Sequence, residues 1–545
     1  MIIVDPITLG DTPFSRPSVK NVYNGAGTLV EVPANTLGVT YDPADLSKAP
    51  WALIEPAAPQ LLRYTEDLDN TNAWFGSMRT VSPNAAVAPS GVVAAERVAA
   101  TVDLGFHYLD QEVIAPAVPY ANGEKYTFSV FARAETISRI RMDFYYAIGG
   151  TGGFVAAFNL ATGTVDGTAE YIAARGAKIQ ALPGGWFRCS IVGTVEKGIE
   201  YPSKLLCRVV LLDATGNGSY SGVGAPGVFL WGWNLTPGDK LSSYIASGVT
   251  PLTRAADVVG SVAGLLYSNV PITEPDYNAA ATYAKDALVH DPVTHNVFKS
   301  LIDANKGKAL TDPAAWNLRG ATNRWAMLDQ YNNTQTTNPE EILIVLTPQA
   351  ISEGLYIGNC DADEIELSVV DQSEGLVASE VTSLVTASGT SSYFDWCFRP
   401  ADRSDYFVTT SLPPYANALV LVAIRKPGGV PKCGMLAIGA VDDFGPSLYG
   451  LSAEGKDYSS VTFNFDGTTN TDLRPYAKRM SVDVQVDNGE IDYIQRKLFQ
   501  IRQRPIVWIG GPYGATAVFG RYGSFKIVIP GLKKSDMALQ IEGSV

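Results

Sequence analysis

Apolar residues along this chain recur mainly in short runs or in alternation, and Gly, Pro, Asn and Asp bound those runs. Tyr126-Thr-Phe-Ser-Val-Phe131 alternates, whereas Leu205–Leu212, Ile342–Leu346 and Phe525–Ile529 are short runs rich in β-branched and aliphatic residues. A side-chain period of two sends one set of residues to a core and the other to solvent, so these segments read as strands of β-sandwiches with turns between them. Long amphipathic stretches of helical period are nearly absent. The exception is residues 489–503, GEIDYIQRKLFQIRQ, where Ile491, Ile494, Leu498 and Ile501 fall three and four apart and share one helix face. Asp487 is placed to cap this predicted helix, Glu490 completes a box-like start, and Pro505 lies beyond its end. The alternating strand Met480–Val486 precedes it, and Ile506–Ile509 and Thr516–Phe519 follow. That order predicts an α+β unit with one helix on a mostly antiparallel sheet.

Composition sharpens the picture. Charged residues make up 18% of 545, below the roughly 25% of an average soluble domain, while 51 Gly and 33 Pro supply turns. At 46% hydrophobic the chain can fill packed cores, and its length predicts roughly three to five domains. The formal charge of −14 argues against a nucleic-acid or anionic-membrane binder, because neutralising phosphates needs a basic surface. Only three histidines occur, which lowers the expectation of an enzyme. Cys189, Cys207, Cys360, Cys397 and Cys433 are odd in number and far apart, and read as reduced, mostly buried thiols of a protein made in a reducing cytosol. The N-terminus has neither a basic n-region nor a long apolar h-region, and no run of eighteen apolar residues follows, so neither export nor a membrane span is expected.

Pro- and Gly-rich joints divide the chain into an extended arm over 1–60, a large domain over 61–258, a linker with a small β-module over 259–325, a sandwich over 326–431 and the α+β domain over 432–545. No repeat of fixed period and no low-complexity tract is present.

Residues 61–257 resemble the jelly-roll, carbohydrate-binding-type module common in bacteriophage and prophage tail proteins. The resemblance is carried in order by Leu61–Asn70 with Trp74, Tyr126–Ala134, Gly185–Ser190, Val228–Leu235 and the exit Ser243–Ala246 with Thr253–Asp257. Phe14–Arg16, Tyr23–Gly27, Val39–Pro43 and Leu53–Pro56 resemble the lead-in before such modules, an arm expected to pack on the sandwich or on another subunit. Residues 275–325 are similar to small chitin-binding-like modules through Tyr277, Tyr283, Leu288–Ser300 and Asp312–Trp316. Gly320–Asp329, Lys478–Val482 and Ile541–Gly543 are similar to segments of the same tail proteins. The resemblance implies a mainly β protein of jelly-roll sandwiches, a small β-module and a C-terminal α+β unit. It also implies a virion component of the tail tip, baseplate or fibre, made in the host bacterial cytoplasm. Its implied partners are other tail proteins, further copies of the chain, by analogy as a trimer, and a host-surface glycan or other receptor.

Candidate sugar-recognition residues follow from chemistry: aromatic faces pack on pyranose rings while carboxylates, amides or Arg take hydroxyls. Trp74, Arg141, Asp143, Tyr145 and Tyr146 supply such a set, because Arg141, Asp143 and Tyr145 share one face of an alternating strand. The same residues also read as a solvated ion pair beside core aromatics. In the small module Tyr283, Phe298 and Trp316 read either as an aromatic platform or as the core that a domain of this size requires. His290, Asp291 and His295 read as a hairpin turn rather than a metal pair, and no metal or cofactor site is expected beyond the structural calcium that the resemblance implies, around Glu66, Asp67 or Asp257. Gly149–Gly153 lacks a phosphate-loop ending and reads as a hairpin. No HExxH or GxSxG occurs, and Asp361 with Asp363, or Asp442 with Asp443, read as solvated acids. The expectation is a non-catalytic tail protein with glycan adhesion. The alternatives are a polysaccharide depolymerase, which predicts a repetitive β-helix and a clustered acid pair, and a purely architectural virion protein.

Overall fold

The computed structural model describes residues 1–545 except 115–122, 146–152, 167–175, 195–203, 387–391, 399–401, 464, 466–467 and 475. Strands dominate, and the described residues form two α-helices, Tyr393–Phe398 and Ile491–Gln500. The chain divides into two compact units, one of residues 14–259 and one of residues 1–13 with 260–545.

The unit of residues 14–259 is a sandwich of two six-stranded antiparallel sheets. The first runs, edge to edge, Arg79–Val87, Val93–Ala100, Gly227–Pro237, Lys125–Ala134, Trp186–Thr194 and Lys178–Leu182. The second runs Thr164–Val165, Gly153–Asn159, Arg139–Tyr145, Lys204–Leu212, Tyr108–Ile114 and Phe75–Ser77. Between them lies a core of Phe128, Val130, Trp233 and Leu235 from one sheet and Ile140, Met142, Phe144, Cys207 and Val209 from the other. Strand order and alternation thus deliver the expected jelly-roll-type sandwich.

The lead-in seals the outer face of the first sheet. Tyr23, Leu29 and Tyr244 pack there with Phe131, Trp186 and Trp231, so the strand Lys125–Ala134 is buried on both sides for most of its length. A buried charge network pins the seal. Asp257 accepts from Arg16 Nη1 at 3.1 Å and from Lys20 Nζ at 2.5 Å, while Glu55 pairs with Lys20 at 3.0 Å and with Arg254 at 2.5 Å. Burial alone would raise the Glu55 carboxyl, but Lys20 and Arg254 hold it at about 2.

The second unit is built on two further sheets. A ten-stranded sheet carries, in order, Tyr406–Thr409, Gly354–Asp361, Lys432–Asp443, Ile2–Pro6, Ile506–Ile509, Ala517–Val528, Lys534–Gly543, Tyr476–Asp487 and Ser452–Asp457, with Thr336–Thr337 paired to Lys432–Asp443. A six-stranded sheet places Glu341–Thr347, Leu419–Arg425 and Glu364–Asp371 side by side. Their facing residues, among them Ile342, Ile344, Val422 and Ile424 against Leu355, Ile357, Leu436 and Ile438, form one core. The helix Ile491–Gln500 buries Ile494 and Leu498 against Val482, Val484, Trp508 and Met537 of the long sheet, as its spacing predicts.

Three sequence expectations change here. The arm over 1–60 is not one element: Ile2–Pro6 is an interior strand of the ten-stranded sheet, paired to Lys432–Asp443 and Ile506–Ile509, while residues 14–60 cover the sandwich. The joint at 431/432 does not separate two cores, because Lys432–Asp443 pairs with Gly354–Asp361 on one edge and Ile2–Pro6 on the other. Asp487 makes no side-chain cap; a 3₁₀ turn over Asn488–Glu490 starts the helix and Asp487 pairs with Lys534 at 3.1 Å. No helix among the described residues is long and apolar enough to cross a membrane. Cys189, Cys207, Cys360 and Cys433 are buried free thiols, and Cys397 is exposed.

Candidate functional site

The strongest constellation lies on the outer face of the second sheet. In Arg139–Tyr145, Ile140, Met142 and Phe144 enter the core, so Arg141, Asp143 and Tyr145 occupy the opposite face. The next strand sets Arg208 directly across from Asp143, and the one after sets Asp110 across from Arg208. Cross-strand partners share a face, so the three strands assemble one patch. Asp143 accepts from Arg141 Nε at 2.8 Å, from Arg141 Nη2 at 2.9 Å and from the Tyr145 hydroxyl at 3.1 Å. Asp110 accepts from Arg208 Nε at 3.0 Å and Nη2 at 2.7 Å. The Arg208 guanidinium sits 3.9 Å from the Tyr108 ring centre and 5.7 Å from that of Tyr145.

Electrostatically Asp143 and Asp110 are paired with Arg141 and Arg208, and Glu112 and Arg79 stand close enough to act on Asp110. Burial pushes the Asp110 carboxyl up in spite of Arg208. Burial and the neighbouring Asp143 push the Tyr145 hydroxyl up to about 12, which keeps it a neutral donor at physiological pH. Asp143 is buried and Asp110 nearly so, while Tyr108, Tyr145, Arg141 and Arg208 are half-buried, so the acids act from beneath and the rings and guanidiniums form the accessible layer. Such a layer offers flat apolar surface flanked by fixed donors, the chemistry of a pyranose-binding face.

The structure therefore brings Arg141, Asp143 and Tyr145 together and excludes Trp74. That side chain is 1% exposed, lies edge-on to Trp233 at 4.6 Å, and donates Nε1 to the Tyr64 carbonyl at 2.9 Å. With both faces in the core it cannot stack on a ligand. One residue on, Phe75 is 52% exposed and faces outward opposite Asp110, because successive residues of a strand point to opposite sides. Tyr108, Asp110 and Arg208 escaped sequence reasoning although Tyr108-Leu-Asp-Gln-Glu112 alternates; nothing local says which strands lie beside Arg139–Tyr145. Tyr146 and residues 149–152 lie outside the described residues.

In the small module Tyr283, Phe298 and Trp316 do converge, but as a core. Trp316 is 3% exposed, meets Tyr277 and Tyr283 edge-on at 5.7 and 5.4 Å, and donates Nε1 to the Lys308 carbonyl at 3.1 Å. Trp316 thus has no free face, and Tyr283 and Phe298 are the partly exposed rings packed against it. The histidines are held by structure. His290 is buried with Nδ1 3.2 Å from the Glu274 carbonyl, and His295 stacks on Trp325 at 3.9 Å. Asp291 accepts from the Val293 N–H at 3.0 Å and the Thr294 hydroxyl at 2.8 Å, the hairpin turn expected of Asp-Pro.

The acids also sort themselves. Asp257 is consumed by Arg16 and Lys20, and Glu66 accepts from the Tyr244 hydroxyl at 3.0 Å. Asp67 instead gathers with Asp69 and Glu96, with carboxylate oxygens all within 4.8 Å of one another. Glu96 is 2% exposed and its Oε2 has no hydrogen-bond partner, while burial and Asp69 push it up to about 8. An orphaned buried carboxylate facing two more fits a hard dication, and these three residues would hold calcium and tie the 67–69 turn to the strand Val93–Ala100. Asp361, Asp363 and Asp442 each have their own cation, Lys426 at 2.7 Å, Arg403 at 2.6 Å and Lys497 at 2.9 Å.

No protein-family model matches the chain, and no curated protein matches it. Among solved structures it is similar to the N-terminal CBM22-1-CBM22-2 tandem domain from Paenibacillus barcinonensis Xyn10C, at 9% identity over 71% of this chain and 99% of that one, with a TM-score of 0.21. It is also similar to a GH78 family rhamnosidase of Bacillus sp. GL1, at 10% identity over 84% of this chain and 36% of that one, TM-score 0.20. A third similarity is to the ANXUR2 extracellular domain from Arabidopsis thaliana, at 8% identity over 69% and 91% of the two chains, TM-score 0.17. At this overlap the fold assignment rests on the strand order and cores described above.

Proposed function

We propose that the chain is a non-catalytic structural protein of a bacteriophage tail, part of the tip, baseplate or fibre, whose sandwich displays a glycan-adhesion face. The observation that carries the adhesion reading is the accessible layer of Tyr108, Arg208, Arg141 and Tyr145 backed by Asp110 and Asp143. Support for the tail assignment comes from the ordered sequence matches along the chain. In this reading the protein is made in the host cytoplasm, assembles with other tail proteins and with further copies of itself as a trimer, and touches a host-surface glycan. Weak single sites then sum to avidity through copy number.

A glycan array probed with the full chain, displayed at high valency, tests the adhesion reading. Selective binding that disappears in Arg208→Gln is expected. A blank array, or binding unchanged in Arg208→Gln and Tyr145→Ala, would leave an architectural role only. Reconstruction of a particle carrying the protein tests the tail assignment through its neighbours and symmetry.

A further inference from the structure

A second constellation stands in the unit of residues 1–13 and 260–545. A cleft of about 470 Å³ there is lined by Tyr331, Tyr458, Tyr522, Gln503, Arg521 and Glu542, together with backbone near the C-terminus. Arg521 and Glu542 are cross-strand partners in the pair Ala517–Val528 and Lys534–Gly543. They do not neutralise one another. Glu542 is already taken by Arg479 at 2.8 Å, Lys456 at 3.2 Å and the Tyr458 hydroxyl at 3.2 Å. Arg521 spends only Nε, donated to the Gln503 carbonyl at 2.7 Å, and no carboxylate pairs with it among the described residues.

Two backbone irregularities frame this arrangement. Gln503 sits at φ 62°, a left-handed conformation that costs a non-glycine residue free energy, and its carbonyl is the group that orients Arg521. The strand carrying Arg521 slips register between Tyr522 and Ser524, a β-bulge of the sort that re-aims side chains beside sites. The result is a guanidinium clamped at its inner nitrogen with both Nη groups left over, beside three tyrosines, of which Tyr331 is 61% exposed. A fork of that geometry takes a carboxylate bidentately, and the rings take the apolar face of a pyranose.

We propose that this cleft binds a carboxylate-bearing pyranose of the uronic-acid class, with Arg521 on the carboxylate and Tyr331 and Tyr458 on the ring. The site is independent of the sandwich face and does not rest on the adhesion reading. The test is saturation-transfer NMR and titration of the full chain with D-glucuronate and, in parallel, D-glucose. Glucuronate is expected to bind about tenfold more tightly than glucose, and Arg521→Gln to remove about that factor. Arg521 is exposed and its side chain donates a hydrogen bond to a single carbonyl, so the variant should melt with the wild type; Tyr331→Ala, also at an exposed position, provides a second arm that should weaken glucuronate and glucose alike. Equal affinity for the two sugars, no saturation at millimolar glucuronate, or wild-type binding by Arg521→Gln would overturn the proposal. Loss in Arg208→Gln with Arg521→Gln unaffected would move uronate binding to the sandwich, overturning this site while leaving the adhesion reading standing.

Discussion

The two sheets of the sandwich have six strands each and contribute comparably to one core, yet their outer faces have opposite fates. The first carries Phe131, Trp186 and Trp231 outside together with Ser129, Arg188 and Asn234, and it is buried, with Arg188 donating to Ser129 and to the Ser242 carbonyl and Tyr23 and Leu29 of the lead-in packed on its rings. The second carries Arg141, Asp143, Tyr145, Tyr108, Asp110 and Arg208, of which the rings and guanidiniums remain half-exposed among the described residues. Uncovered, the rings of the first face would lie in water; covering the second would desolvate the half-buried Tyr108, Arg141, Tyr145 and Arg208. The difference teaches that in this fold the covering segment selects which sheet face stays accessible to solvent.

The largest effect should come from breaking the seal. Asp257→Ala leaves Arg16 a buried cation without its carboxylate and Lys20 with Glu55 alone, and should cost about 3–5 kcal/mol, read as a lower melting temperature together with loss of amide-exchange protection over 20–32. Acid should attack the same network. The Glu55 carboxyl is depressed in the folded state, so its stabilisation is present above its ordinary value near 4.5 and is lost as pH falls toward about 2; denaturant titrations should show up to about 3 kcal/mol disappearing across that window, and less in Glu55→Gln. The open sheet should respond differently. Tyr108→Ala and Tyr145→Ala should weaken glycan binding about tenfold while shifting stability by no more than about 1 kcal/mol, and a large loss of stability would mean that this face is covered too. Between the sheets in kind, and smallest in size, is the acid cluster. The raised Glu96 carboxyl makes ionisation unfavourable to folding between its ordinary value and about 8, so calcium should raise the melting temperature by about 2–4 °C at neutral pH in the wild type and not in Glu96→Gln.

Much of the architecture was readable from period alone. The alternation in Arg139–Tyr145 placed three site residues on one face, and the three-and-four spacing of Ile491, Ile494 and Leu498 placed the C-terminal helix, because both patterns are set by local backbone geometry. Trp74 shows where such reading stops. A tryptophan beside a strand start looks like a platform, but a one-residue offset sends Trp74 into the core and Phe75 out, and that parity is set by pairing with Tyr108–Asp110, more than thirty residues away. Glu96 failed for a related reason. Nothing near it in sequence marks it as a partner of Asp67 and Asp69; its burial beside them comes from the packing of the 67–69 turn against its strand. Ile2–Pro6 carries an ordinary strand pattern, and only long-range pairing reveals that it completes the middle of a sheet built otherwise from residues 336–543.

By itself the sequence determined that this is a mainly β protein with one C-terminal helix on a sheet, because hydrophobic period and turn residues act over a few positions. The tertiary structure alone decided which aromatic rings are core and which are surface, which acids are neutralised, and which sheet face stays open. Those outcomes depend on burial and on the nearest charge, and both are fixed by residues brought together from distant parts of the chain.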